Sequence, residues 1–352
     1  MSGGRNPNSN EQDDQADKFP LDALPLDLLK DKTGSIGKTD TNIGQYLSPL
    51  DKKHLAEIGN IYLLSIFKSD IKPANDLIKQ FLTHIVRGEE AEAKAMLERD
   101  PCLVLEVATV TDYSGRKIRG TALQLALGAD DDAMIEMLLP YFKKLPNGEK
   151  EWEKQWNEQF PESSSKQEEV PYDFNPLVEA INSKNQEKIN QALTHLRAYL
   201  KPKGVIKSGK HFDVHMLINA YEVHNKHYDN WDGNQRRISW SQMIGYIQRY
   251  LPACYAQAYC QGLYGVSVLN QPLKRSMKLE NTVFFPLDTE PTFRLGSDFG
   301  VYSVCVQRGY APRWHGGDGV ILKNYVEQKQ QRLASLRKPF DRELHQRNIH
   351  HA

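Results

Sequence analysis

Cys305, His315 and Asp318 place a thiol, an imidazole and a carboxylate within one short stretch, the residue types of a nucleophile, its base and the group that orients the base. The intervening WHGGDG turn adds backbone N–H groups of the kind that stabilise an oxyanion. Cys305 also lies inside the alternating run VYSVCVQ, where a cysteine is ordinarily a small buried hydrophobe, so no catalytic residue is assigned. A second set is imidazole-rich. His211 and His215 are four apart and His224 and His227 three apart, with Glu222 close by, spacings that put rings on one helix face as metal ligands. The His-x-x-x-His pair lacks the internal Glu of a zincin, and neither a metal nor a cofactor is assigned. A third set, Trp231, Arg236 and Arg237 with Arg249, Trp240, Tyr246 and Tyr250, has the composition enriched at interface centres, and equally that of a core with a solvated arginine rim. Nucleotide hydrolysis has no support, because the Gly-rich turn lacks the Lys and Ser/Thr of a P-loop and no GxGxxG follows a strand.

These residues need elements to hold them, and the apolar spacing predicts mostly helices. Residues 1–18 read as a flexible tail and 19–70 as short helices. From 75 to 101 a helix hairpin turns at Gly88, and TALQLALGADDDAMIEMLLPYF repeats the unit about 40 residues later, broken at Gly128. A third copy is expected at NPLVEAINSKNQEKINQALTHLRAYL. The insertion at 146–174 reads as an exposed excursion, with Trp152 and Trp156 able to anchor its helical part. The fold expected is therefore mainly α: irregular stacked hairpins over 71–205, then a C-terminal helical unit over 206–338 carrying a small β-hairpin around a Gly-Ser-Asp turn, and a flexible tail over 339–352. Pro252 is expected to kink or end a helix.

Composition bounds the function. Lys plus Arg and Asp plus Glu are each 45 in 352 residues, so no net charge steers the chain to nucleic acid. The longest clean apolar run, IYLLSIF over 61–67, is too short for a membrane span. The four cysteines form no CxxC, which favours free thiols in a reducing compartment, and no Sec leader is signalled.

The segments GTALQLALGADDDAMIEMLL and NPLVEAINSKNQEKINQAL resemble ankyrin repeats, with Thr121, Leu123 and Ala126 matching one copy and Pro176, Leu177 and Ala180 another. Residues 19–62 resemble an F-box: Leu24, Pro25, Asp27, Leu28 and Leu29, then Tyr46, Leu47, Ser48, Pro49, Asp51 and Leu55. That resemblance implies docking on the Skp adaptor of a cullin ubiquitin ligase through Leu24, Pro25 and Leu28. A cap on the helical stack is the alternative. The degenerate hairpins together with VTDYSGRKIRGTALQLALGA and WDGNQRRISWSQMIGYIQRYLPA are similar to ankyrin-like proteins of Legionella-type intracellular bacteria. This implies an effector made in the bacterial cytoplasm, delivered by type IV secretion into the host cytoplasm, and acting there by binding a host protein. The competing readings are an enzyme with a thiol or metal site within 211–320 and a scaffold with no ubiquitin link.

Overall fold

Apolar residues at every third or fourth position build the first helix pair: α1 (Asn75–Val86) buries Ile78, Phe81, Leu82, Ile85 and Val86, and α2 (Glu90–Arg99) buries Ala93 and Leu97. Leu77, beside this stripe, is exposed. Gly88 turns the chain between them at φ +64°, and the Gln257 side-chain amide packs where a Cβ would stand, donating to the Arg87 and Gly88 carbonyls at 3.3 and 3.1 Å. The computed structural model describes residues 75–161, 171–277, 282–286, 299–305 and 317–340, all within one unit, Pro73–Ala352. The helices expected within 19–70, with Leu24, Pro25 and Leu28, lie outside the described residues, as do the Gly-Ser-Asp turn, His315 and residues 341–352.

After a 3-10 turn over Pro101–Leu105, strands β1 (Ala108–Thr111) and β2 (Lys117–Gly120) form an antiparallel hairpin. The second helix pair follows. Thr121 and Gln124 make a capping box that starts α3 (Ala122–Gly128), and Asp131 caps α4 (Asp132–Lys143), accepting from the Met134 N–H at 3.2 Å. Like helices stack, α3 on α1 and α4 on α2. Gly128 does not make the turn, as its place in the sequence suggests. It is helical, and a Cβ there would stand 2.2 Å from His211 Nε2; the left-handed turn residue is Asp130, at φ +55°.

Helix α5 (Gly148–Gln159) corrects the expectation of an exposed insertion, because it packs on α3 and α4 and buries Trp152 completely. The Trp152 ring meets Phe142 edge-on at 5.1 Å. Gln155 accepts from the Thr121 hydroxyl at 2.6 Å, so the insertion is bolted to the capping box of α3.

The third helix pair, α6 (Asn175–Ser183) and α7 (Gln186–Leu200), forms as expected but joins a different core. Its Leu177, Ile181, Leu193 and Leu196 pack with α8 (His215–His227), α9 (Gly233–Ile238) and the π-helical turn Ser239–Ile244 that leads into α10 (Gly245–Gln248). The boundary expected at 205/206 is therefore not a packing boundary. Strand β3 (Val205–Ile206) adds parallel to β2, giving the order β1-β2-β3. Pro252 separates α10 from α11 (Ala253–Gln261), and α12 (Leu263–Ser267) follows. The expected C-terminal hairpin is present as antiparallel β4 (Thr282–Pro286) and β5 (Phe299–Cys305). The last helix, α13 (Gly317–Leu336), packs on α8, α12 and α4. The protein is mainly helical with small β elements, and among the described residues no helix is long and apolar enough to cross a membrane.

Candidate functional site

The β1–β2 hairpin is built around one aspartate. Asp112 Oδ1 accepts from the N–H groups of Ser114 (2.9 Å) and Arg116 (3.0 Å) and from the Ser114 hydroxyl (2.7 Å), an Asx turn that reverses the chain. Its Oδ2 accepts from Arg116 Nε at 2.8 Å, and both side chains are nearly buried. Arg116 Nη1 also donates to the His211 carbonyl at 3.2 Å, tying the turn to the segment before α8. The helix turn beneath it is fixed as well: the Tyr113 hydroxyl donates to Glu89 at 2.9 Å, Glu89 also meets His84, and the Arg87 guanidinium lies 5.3 Å from the Tyr113 ring centre. Hairpin tip and α1–α2 turn are thus joined into one rim, beside the outward sheet residues Thr109, Thr111, Lys117 and Arg119.

Behind this rim lies a buried charge lock that sequence reasoning missed. Asp130, Asp131 and Asp132, running from the α3–α4 turn into the first residue of α4, are each buried, and each takes a cation from a different part of the chain. Lys210 reaches Asp130 at 3.1 Å. Arg275 holds Asp131 with two bonds of 2.7 and 2.9 Å and Glu90 with a third of 2.9 Å. Lys329 of α13, itself buried, pairs with Asp132, donates to the Asp130 carbonyl at 3.2 Å and lies against the Tyr255 and Tyr325 rings. Arg332 adds a 3.0 Å contact to Asp132. The run ADDDA resembles a solvated turn. The available signal was Lys329 itself, a cation one helical turn from the apolar Tyr325 and Val326.

Protonation in the lock is fixed. Burial pushes the Asp131 carboxyl up, but Arg275 and Lys329 more than reverse this and hold it below the usual range. Burial lowers the Lys329 ammonium, and its neighbours Cys254, Tyr325, Asp132 and Asp131 together carry it well above its usual value. Burial raises the Cys254 thiol to about 12 and the Tyr325 phenol to about 12. At neutral pH these groups are carboxylate, ammonium, thiol and phenol, the chemistry of an electrostatic clamp. A cavity of about 540 Å3 opens beside the clamp, lined by Asp132, Tyr325, Gln328, Lys329, Arg332 and the 270–273 loop among others.

The residues singled out in the sequence disperse. His211 is buried against Gly128, and burial, with Arg116 adding to it, lowers its pKa to about 3. His215 is exposed at the start of α8. His224 is buried, sharing a hydrogen with Ser239 Oγ at 2.9 Å, and His227 stacks on Trp231 at 5.2 Å. Among the described residues no three His, Cys, Asp or Glu side chains gather as metal ligands. Trp231, expected at an interface, is 2% exposed, and its indole N–H donates to Asn182 at 2.7 Å, so it closes the core between α6 and α8. Arg236 lies over the Tyr228 ring at 4.0 Å and donates to its carbonyl at 2.8 Å, and Arg237 is exposed. Asp318 is buried in the first turn of α13. Cys305 ends β5, paired in register with Thr282, and His315 lies outside the described residues.

No family model matches the chain, and no solved structure matches it. The chain is 24% identical over 253 residues to an uncharacterized protein of Coxiella burnetii (strain RSA 493 / Nine Mile phase I), an alignment that covers 68% of this chain and 67% of that protein.

Proposed function

We propose that the chain is a protein-binding bacterial effector that recognises a host protein on the rim formed by the β1–β2 hairpin and the α1–α2 turn. The observation that carries this reading is the tie between hairpin tip and helix turn: Tyr113 donates to Glu89 and lies under the Arg87 guanidinium, contacts that reduce the order to be gained on binding. The two like-on-like helix pairs beneath it are the kind of platform on which repeat proteins present such turns. Similarity to a Coxiella burnetii protein supports a bacterial origin.

A photo-crosslinking residue at the exposed position Thr111 of the full-length protein, compared with one at the exposed position Lys188 on α7, tests the reading in host-cell lysate. Discrete host adducts from position 111 and none from 188 are expected. The same adducts from both positions, or none from 111, would sink it. The finer reading makes residues 19–62 the link to a cullin ligase. Capture with the wild type and with Leu24→Ala combined with Pro25→Ala decides it, since Skp and cullin should be recovered only with the wild type. Their absence from both samples leaves 19–62 without that role.

A further inference from the structure

The outward face of the three-stranded sheet carries cations that form no hydrogen bond or ion pair with a described residue. In β2 the burial alternates, so Ile118 and Gly120 point inward while Lys117 and Arg119 point out. Thr111 and Thr109 stand opposite them on β1, and Val205 of β3 pairs with Lys117 and is 42% exposed. Lys203 and Lys207, on either side of β3, are exposed as well. Among the described residues, none of Lys117, Arg119, Lys203 and Lys207 forms a side-chain hydrogen bond or an ion pair. Some exposed cations elsewhere meet carboxylates, Lys184 with Asp232 at 2.8 Å and Arg332 with Glu136 at 3.2 Å, and others such as Lys188 and Lys226 stand singly; here four are gathered on and beside one small sheet. A local excess of positive charge on a chain of zero net charge is a surface with a sign of its own.

We infer that this face binds an extended acidic polypeptide segment, with Lys117 and Arg119 as its anchors; the inference rests on the recognition reading above and names the chemistry of the partner. Lys117 and Arg119 are two residues apart on one strand, about 7 Å, the spacing of alternate side chains in an extended peptide. A chain with carboxylates at every second residue therefore meets both cations in register. The threonine hydroxyls of β1 supply further donors to those carboxylates. Val205, outward on β3 beside Lys117, adds an apolar contact for the same peptide. Single-stranded nucleic acid fits less well, because its bases need aromatic platforms and the outward residues Thr109, Thr111, Lys117, Arg119 and Val205 include none.

The test is fluorescence anisotropy with the full-length protein and three labelled probes: a ten-residue oligo-glutamate, a neutral Gly/Ser peptide and a ten-nucleotide single-stranded DNA. Saturable oligo-glutamate binding is expected, weakening with salt and weaker by about tenfold in Lys117→Gln combined with Arg119→Gln. Lys203→Gln with Lys207→Gln, an independent pair, should weaken it as well. Lys226→Gln, which removes an exposed charge from α8, should leave it within about twofold. No saturable oligo-glutamate binding, an equal loss in the Lys226 variant, or tighter binding of the DNA would overturn the inference. If crosslinks at position 111 persist while oligo-glutamate fails, recognition stands and only the acidic class falls. Failure of both removes the recognition reading too.

Discussion

Lys329 is an ammonium with 2% of its surface exposed, a placement tolerated only while Asp132 stays opposite it. Lys329→Met leaves the buried Asp132 with only the half-exposed Arg332, and a loss of about 3–5 kcal/mol is expected in urea unfolding. Adding Asp132→Leu should return most of that loss, because an apolar pair of similar volume has no desolvation cost. His211 makes a second residue-scale prediction. Its folded pKa of about 3 lies below its ordinary 6.5, so between these values the unfolded chain binds the extra proton. Its contribution is fully present above pH 6.5 and is lost as the pH falls toward 3, at up to ~1.4 kcal/mol per pH unit. Between pH 7.5 and 5 the wild type should weaken on this slope, and His211→Gln should be less stable but flatter; equal slopes would show that the ring does not titrate. None of this was legible in the sequence. Asp132 and Lys329 are almost 200 residues apart, and no local pattern states that a run of three aspartates meets cations from three distant segments.

Elements were far more legible, because helix periodicity and caps are local. The α1–α2 and α3–α4 pairs, the α6–α7 pair, the role of Pro252 and the β4–β5 hairpin all follow from apolar spacing and turn residues. Gly128 shows where local reasoning stops. A glycine near the end of an apolar helix suggests a turn, yet here it makes room for a ring from residue 211. Gly128→Ala, which helix propensity alone would favour by about 1 kcal/mol, should destabilise by about 1–3 kcal/mol through overpacking. A double-mutant cycle with His211→Ala checks this, since the cost of Gly128→Ala should largely vanish once the ring is gone. Helix α5 reads as an exposed excursion because its polar residues outnumber its apolar ones, and only Trp152 and Trp156 mark the side that is buried. Trp152→Ala should cost about 3–5 kcal/mol in thermal or urea unfolding, a value no exposed excursion would show.

At the scale of the molecule, the two helix stacks and the C-terminal core behave as one unit because the lock crosses between them. Arg275 joins α2 and the α3–α4 turn from a loop beyond α12, and Lys329 joins the same turn from α13. The third helix pair contributes Leu177, Ile181, Leu193 and Leu196 to the later core. A fragment of residues 73–205 should therefore lack cooperative unfolding by circular dichroism, whereas residues 73–352 should melt in a single transition. A sharp melt of the shorter fragment would show that the hairpins stand alone. The three aspartates also constrain how such a sequence can drift. Each has its own distant cation, so a change at 130, 131 or 132 is tolerated mainly when position 210, 275 or 329 changes with it. Among descendants of this chain, those three pairs of columns should vary together while the turn between the helices keeps its length.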